Sequence, residues 1–444
     1  MNDPQHRPIW TRALPRWRAS GWRPLWILAL LVSPVSALAE LAMTVGGNVQ
    51  YQYDTNVFDL QPGFPTPFGV SSGYSDSFIA YGGKLDASYL WSQQQFYATV
   101  VGTEYHYDRF TELDHYEYTL DGGWDWKIGR LWDGVLDVER IRSMVSFWNV
   151  IGTSLVIQTE QRETGRAGVQ VTPDWRAEFT GITRKVNQPQ ATANPLTATE
   201  PPAPATTTIT DLTLTETSGQ AAVKYTGTAG VTAGVSGTYL KGSFSNVGPL
   251  VVAPSYTQTS GALTATDVVT GLSTFRGQIG YSRRSSDSGI NNISGATGEL
   301  DYQRALTGKT SVEVDLTRQI NAYLTNDASE IDSVAALTAT WQATYRIGVV
   351  LGYTFTYRQL PHQGNTLVDG IIVGNGTQQM EYLNMPSLTV TYAPVPWLIL
   401  KPYVNYQTRS SQNFVGGNFD ATVVGLQFTL QLQRGVIPPR TQLY

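Results

Sequence analysis

The chain has 444 residues, with 30 basic and 35 acidic side chains, a formal net charge of −5 and no cysteine. The missing cysteines exclude disulfides, thiolate metal sites and cysteine nucleophiles. The acidic balance argues against a nucleic-acid surface.

Residues 1–39 read as a secretory signal peptide. Arg7, Arg12, Arg16, Arg18 and Arg23 form a basic region, Leu25 to Val32 an apolar one, and Ala37-Leu38-Ala39 a small-residue cleavage site before Glu40. The apolar run is too short for a membrane-spanning helix, which takes ~20 residues. Removing this stretch takes away those five Arg and Asp3, so the net charge falls from −5 to −9. No later segment is long and apolar enough to cross as a helix, and helical periodicity is missing.

After Leu41 the chain alternates with period two. Eighteen strands are predicted: 43–53, 77–91, 94–107, 115–127, 131–145, 160–171, 175–186, 213–226, 229–242, 256–268, 274–284, 295–306, 310–321, 331–343, 348–359, 380–393, 397–409 and 418–432. Most are ~10–14 residues long, where soluble strands run to five or six, and a tilted strand crossing a bilayer needs ~9–11. The alternation in 213–268 is faint enough that 16 strands remain an alternative. Short connectors such as 92–93, 128–130, 172–174, 307–309 and 394–396 alternate with long ones such as 54–76, 187–212, 244–255 and 360–379. Short turns on one rim and long loops on the other predict an all-β, antiparallel, up-and-down transmembrane barrel over 40–433, with a periplasmic tail over 434–444. The loop 187–212, with five Pro among Thr and Ala, is expected to be disordered. Pro386 and Pro402 fall inside proposed strands, so either they mark bulges or strand ends or the strand boundaries lie elsewhere.

The clearest hairpin is 298–320. Around the turn Thr307-Gly308-Lys309, the alternation sets Leu300 opposite Leu316, Tyr302 opposite Val314 and Asp301 opposite Asp315. Opposed carboxylates are tolerable only on a wet face, so the apolar face is the other one.

Aromatic residues fix the sidedness. Trp91, Trp124, Trp126, Trp132, Trp175, Trp341 and Trp397, seven of the eight Trp outside the signal stretch, lie near short turns; Tyr105, Tyr107, Tyr116, Tyr118, Tyr239, Tyr281, Tyr357 and Tyr406 lie at the opposite strand ends. Two belts match two membrane–water interfaces. Apolar residues then face lipid, the sheet must close, and eighteen strands leave a water-filled lumen. The last strand turns Leu426, Phe428, Leu430 and Leu432 outward, with a Gly425-x-x-Phe428-x-Leu430 spacing that suits a C-terminal assembly signal.

The expected pore lining is mixed. It comprises Asp121, Asp125, Asp137 and Glu139; Arg162, Arg166, Arg176 and Arg184; Arg276 and Arg284; Glu299, Asp301, Glu313 and Asp315; and Arg358, Lys401, Tyr403 and Arg409. Opposed acidic and basic walls would set a transverse field; the plainer reading is that these charges solvate the channel and pair between strands. Catalysis finds little support, because no nucleophile is paired with a base. His106 and His115 flank a short loop with Glu104, Asp108 and Asp114 and read as interfacial polar residues rather than a metal site. No cofactor and no metal are expected.

Tyr53-Asp54-Thr55-Asn56-Val57-Phe58, Phe275-Arg276-Gly277-Gln278-Ile279-Gly280-Tyr281 and Leu306-Thr307-Gly308-Lys309-Thr310-Ser311 resemble outer-membrane β-barrel proteins of exopolysaccharide operons, the EpsL-type family linked to exosortase systems. An Arg commonly follows the Phe of the first motif in that family, where this chain has Asp59. The resemblance implies a role in moving a secreted polysaccharide across the outer membrane, with that polymer, outer-membrane lipid and periplasmic export components as partners. Two other functions stay open: a general diffusion porin, for which 54–76 or 146–159 could fold inward as a constriction, and a non-transporting structural or adhesive barrel.

Overall fold

The computed structural model describes residues 41–61, 73–149, 155–192, 208–227, 230–245, 255–287, 292–323, 328–361, 365–368, 371–374, 377–413 and 417–435. The signal stretch and most of the tail lie outside these residues. The strands in chain order are β1 Leu41–Asp54, β2 Asp76–Trp91, β3 Gln94–Tyr107, β4 His115–Ile128, β5 Trp132–Met144, β6 Ile157–Gln170, β7 Trp175–Thr192, β8 Thr208–Thr226, β9 Thr232–Ser245, β10 Tyr256–Thr270, β11 Ser273–Ser286, β12 Ile293–Thr307, β13 Thr310–Tyr323, β14 Ala328–Gln342, β15 Ile347–Leu360, β16 Asn365–Val368, β17 Ile371–Gly374, β18 Gln379–Val395, β19 Leu398–Gln412 and β20 Phe419–Arg434.

Eighteen of them form one antiparallel sheet, and β16–β17 is a small hairpin in the connection between β15 and β18. Each strand of the large sheet pairs with its neighbours in sequence, and β1 pairs antiparallel with β20 from Met43↔Arg434 to Asp54↔Val423. This pairing closes the ring, so the barrel has no edge to expose to hydrocarbon.

Residues directly opposite in a ladder share a face. Asp86, Thr99, Asp121, Glu139, Arg162, Arg184 and Glu216 are successive partners and lie on one face, the lumen. The other face carries exposed apolar side chains all the way round, among them Leu136, Phe179, Leu263, Ile279, Leu351 and Phe428; Ile279 is 68 % exposed. In water that surface would be strongly unfavourable; it suits hydrocarbon. All seven predicted Trp lie near the short-turn rim; Trp91, Trp124, Trp126, Trp132, Trp175 and Trp341 are on this outer face, and Trp397 sits in the turn between β18 and β19. Trp126 is the least exposed, its ring lying over the bare Cα of Gly134.

The hairpin register is as expected: Leu300↔Leu316, Tyr302↔Val314 and Asp301↔Asp315. Four expectations are corrected. β7 and β8 run on to Thr192 and from Thr208, pairing through Pro189↔Asp211, so much of the stretch expected to be disordered is ladder; residues 193–207 lie outside those described. β20 continues to Arg434, so the strand overlaps the start of the expected tail. Tyr105 and Tyr107 point inward, not to the belt, because they share a face with Ala80 and Phe78 in an internal cluster. Pro386 and Pro402 mark neither bulges nor ends. The β18–β19 ladder lapses around them while Tyr353↔Pro386 and Pro402↔Leu426 continue on the far sides, so the missing N–H groups fall on one shared seam.

Candidate functional site

The site is the mouth of the lumen at the long-loop rim, and it is built first from the stretch after β1. Asp54 accepts a hydrogen bond from the Asn56 backbone N–H at 2.8 Å, a local turn that bends the chain inward at the strand end. The Asn56 side chain then fixes the turn: its Nδ2 donates to the carbonyls of Leu60 (2.9 Å) and Asp420 (3.2 Å), and its Oδ1 accepts from Leu60 N–H at 3.2 Å. Asp59 adopts φ +51°, a left-handed conformation that Asp tolerates better than most side chains. The result drives Phe58 and Leu60 into the lumen.

Phe58 is 0 % exposed and packs edge-on against Phe110 (4.7 Å between ring centroids) and Phe147 (5.1 Å). Phe110 precedes the 3-10 turn Thr111–Leu113 between β3 and β4; Phe147 begins the turn Phe147–Asn149 between β5 and β6. Asp76 holds the first of these turns, accepting from the backbone N–H groups of Ser77, Arg109 and Phe110. Glu117 holds the second through Met144 N–H at 2.8 Å. Buried His115 stacks on Tyr105 at 4.7 Å, its Nδ1 2.6 Å from the Leu113 carbonyl. Three loops thus meet in one apolar knot inside the barrel.

Trp148, next to Phe147, docks on the far wall. Its carbonyl accepts from Arg409 Nη1 at 2.8 Å, and the Arg358 guanidinium sits 4.8 Å from its ring centroid. Leu383, Phe419, Ala421 and Met385 pack with it. Going the shorter way round the ring, β4, β3, β2, β1, β20 and β19 separate β5 from β18, so this loop reaches across the mouth. The wall it meets is a buried ion network: Arg358 Nε lies 3.0 Å from Asp332 and 3.2 Å from Glu330, and Glu381 bridges Arg358 and Arg409. Asp59 belongs to the same contact. Its carboxylate accepts from Trp148 N–H and from the Ser146 hydroxyl and feels Asp54 and Arg409; burial, first, and Asp54, second, push it up to about 7. An open water-filled channel is therefore corrected at this rim, where the interior is packed.

Below the mouth the lumen is wet and charged. The register places every predicted lining residue on the inner face, from Asp121 and Asp125 round to Lys401, Tyr403 and Arg409. Opposed walls are not what they form. Arg184 bridges Glu160 (2.7 Å) and Glu216 (3.0 Å), Arg176 bridges Asp133 and Glu178 (both 2.7 Å), Lys224 meets Glu178 and Arg276 meets Asp301. Charges of both signs interleave because long Arg and Lys side chains settle on carboxylates of their own strand or of strands one or two away. Two patches keep an acidic excess: β4–β5, and the hairpin β12–β13, where carboxylate oxygens of Asp301, Glu313 and Asp315 lie within 4.8 Å of one another. Tyr403 lies over bare Gly425 and joins Gln50 and Gln52 through its hydroxyl.

Asn56, Leu60, Phe110, Trp148, Glu330, Asp332 and Glu381 are site residues that the sequence alone did not single out. Two signals were available: Asn56 and Phe58 are in the motif that carries the family resemblance, and Trp148 is the one Trp left out of the belt. His106 stacks on Tyr81 on the outside and lies 3.2 Å from Asp114; its carboxylate neighbours are not among the groups that could hold a metal among the described residues.

No family model matches the chain, and no curated relative matches it. Among solved structures, the chain is similar to the ferric enterobactin receptor PfeA of Pseudomonas aeruginosa (10 % identity, TM-score 0.45, covering 87 % of this chain and 81 % of that one). It is similar also to the ferric-catecholate import receptor Fiu of E. coli (9 %, 0.47, 89 % and 82 %) and to the outer membrane protein OpdK of Pseudomonas aeruginosa (10 %, 0.43, 88 % and 99 %).

Proposed function

We propose that this chain is an outer-membrane conduit for a secreted polysaccharide, closed at its outer mouth by its own loops. The observation that carries the reading is the pairing of a wet, mixed-sign lumen with a packed plug built from the Asn56–Phe58 motif and Trp148. A lining of mixed charges, many of them mutually paired, and inward Tyr403, Asn405, Gln407 and Gln278 offers hydrogen bonds to a neutral or weakly charged sugar polymer with little electrostatic trapping. The resemblance to barrels of exopolysaccharide operons supports the same substrate class. A diffusion porin is the second reading, favoured by the inward reach of the loop carrying Trp148.

Deleting the gene in a polysaccharide-producing host separates the two. Loss of surface polymer with small-solute uptake intact is the expected result; the reverse pattern establishes the porin. In planar bilayers the wild-type barrel is expected to conduct weakly and the Trp148→Ala variant strongly. A barrel that passes no ions even without its plug residues sinks both transport readings and leaves a structural one.

A further inference from the structure

On the outer face, six cations stand at one height. Arg140 and Arg142 on β5, Lys185 on β7, Lys241 on β9, Arg283 on β11 and Arg318 on β13 each lie eight to ten residues above the short-turn end of their strand. With tilted strands that is roughly 20–25 Å above the short-turn rim, the upper border of a ~25 Å apolar band. Partnership confirms their face: Arg140 and Lys185 both oppose Gln161, Lys241 opposes Thr217, Arg283 opposes Thr259, and Arg318 opposes Gly298, all on the lipid side. Arg140, Lys185, Lys241 and Arg283 are exposed.

None of the six forms an ion pair with a carboxylate among the described residues. Arg142 instead lies over the Tyr116 ring at 3.7 Å, and Arg318 donates to Ser333. Glu163 is the single acid on the outer face of the described parts of these strands near this level, and it is taken by Gln161. The rest of the circumference differs. At the same height β14–β20 and β1–β4 present Tyr357, Tyr406, Tyr51, Tyr81 and Tyr118 and, among the described residues, no Lys or Arg; the charged side chain there is an acid, Glu104 on β3, which accepts from the Tyr81 hydroxyl. Snorkelling alone would scatter cations around the whole ring. Here they are gathered on one arc, while on the lumen side of the same strands Arg176, Arg184 and Arg276 pair with carboxylates.

We infer that the arc from β5 to β13 binds the phosphate groups of lipid in the leaflet at the long-loop rim, orienting this side of the barrel toward an anionic, phosphorylated lipid. Cations at an interface attract anionic headgroups roughly fivefold per residue, screened by salt. The inference rests on the barrel spanning a membrane and is independent of what it conducts.

The test uses the full, detergent-purified barrel and native mass spectrometry, with diphosphoryl lipid A and the same lipid stripped of both phosphates as probes. The wild type is expected to retain the phosphorylated lipid at least tenfold better than the stripped one, with retention falling as salt rises and unaffected by millimolar inorganic phosphate. The variant Arg140→Gln, Lys185→Gln, Lys241→Gln, Arg283→Gln, checked for heat-modifiable migration as a folded barrel, is expected to lose that preference and keep its conductance. Equal retention of the two lipids by the wild type, or an undiminished preference in the folded variant, overturns the inference. So does a second copy of the chain bound on the arc in place of lipid. The wild-type comparison decides the matter even if the variant does not fold, and a barrel that conducts nothing but selects the phosphorylated lipid rejects the transport reading alone.

Discussion

Asp59 and Trp148 carry the chemistry of the plug. The Asp59 carboxyl, pushed up to about 7, is protonated in the docked loop over a range where a free carboxyl is already ionised. Raising the pH from about 4 to 7 therefore weakens docking, and above 7 the loss is complete. Open probability in bilayers is expected to rise between about pH 4 and pH 7 and then level off, and Asp59→Asn, which keeps the left-handed backbone accessible, is expected to flatten that profile. Trp148→Ala removes the ring from between Arg358 and Leu383, a loss of about 3 kcal/mol from loop docking. Conductance should increase while heat-modifiable migration stays unchanged. Glu381→Gln tests the network from the other side: it leaves Arg358 and Arg409 sharing less negative charge in a buried place, and it too should loosen the plug.

Among the elements, two seams behave differently for a reason written in the backbone. The β13–β14 ladder pairs without a break from Thr310↔Trp341 to Tyr323↔Ala328. The β18–β19 ladder lapses at Pro386 and Pro402. Amides of Met385, Tyr406 and Gln407 are expected to exchange with solvent before those of β13 in hydrogen-exchange measurements of the detergent-solubilised barrel; equal protection would mean that the lapses are closed in solution. The hairpin β12–β13 is the opposite case. Its register was legible from alternation and turn length alone, because a slip of one residue would put Leu300, Leu316 and Val314 in the lumen and three carboxylates in lipid.

Among the described residues acidic side chains outnumber basic ones on the inner face, so the unplugged lumen is expected to prefer cations weakly. A reversal potential measured across a salt gradient checks this, and the double change Asp301→Asn, Asp315→Asn should move it toward anions. Closure and sidedness follow from the same facts at this scale: the outer face is apolar, the inner face polar, and no ladder can end in hydrocarbon.

The amino-acid order by itself carried the alternation that marks each strand and the polar face of most of them, because a period of two is a local property that each strand carries alone; the choice of eighteen strands over sixteen came from the closed ladder. It did not determine who meets whom across the lumen. Phe58, Phe110 and Phe147 come from three loops with no shared periodicity, and Trp148 finds Arg358 and Arg409 only once the ring has closed and brought the far wall within reach. Whether charges stood as opposed walls or as interleaved pairs was likewise decided by tertiary neighbours, since an Arg side chain reaches one or two strands over, and only the paired sheet fixes which carboxylate waits there.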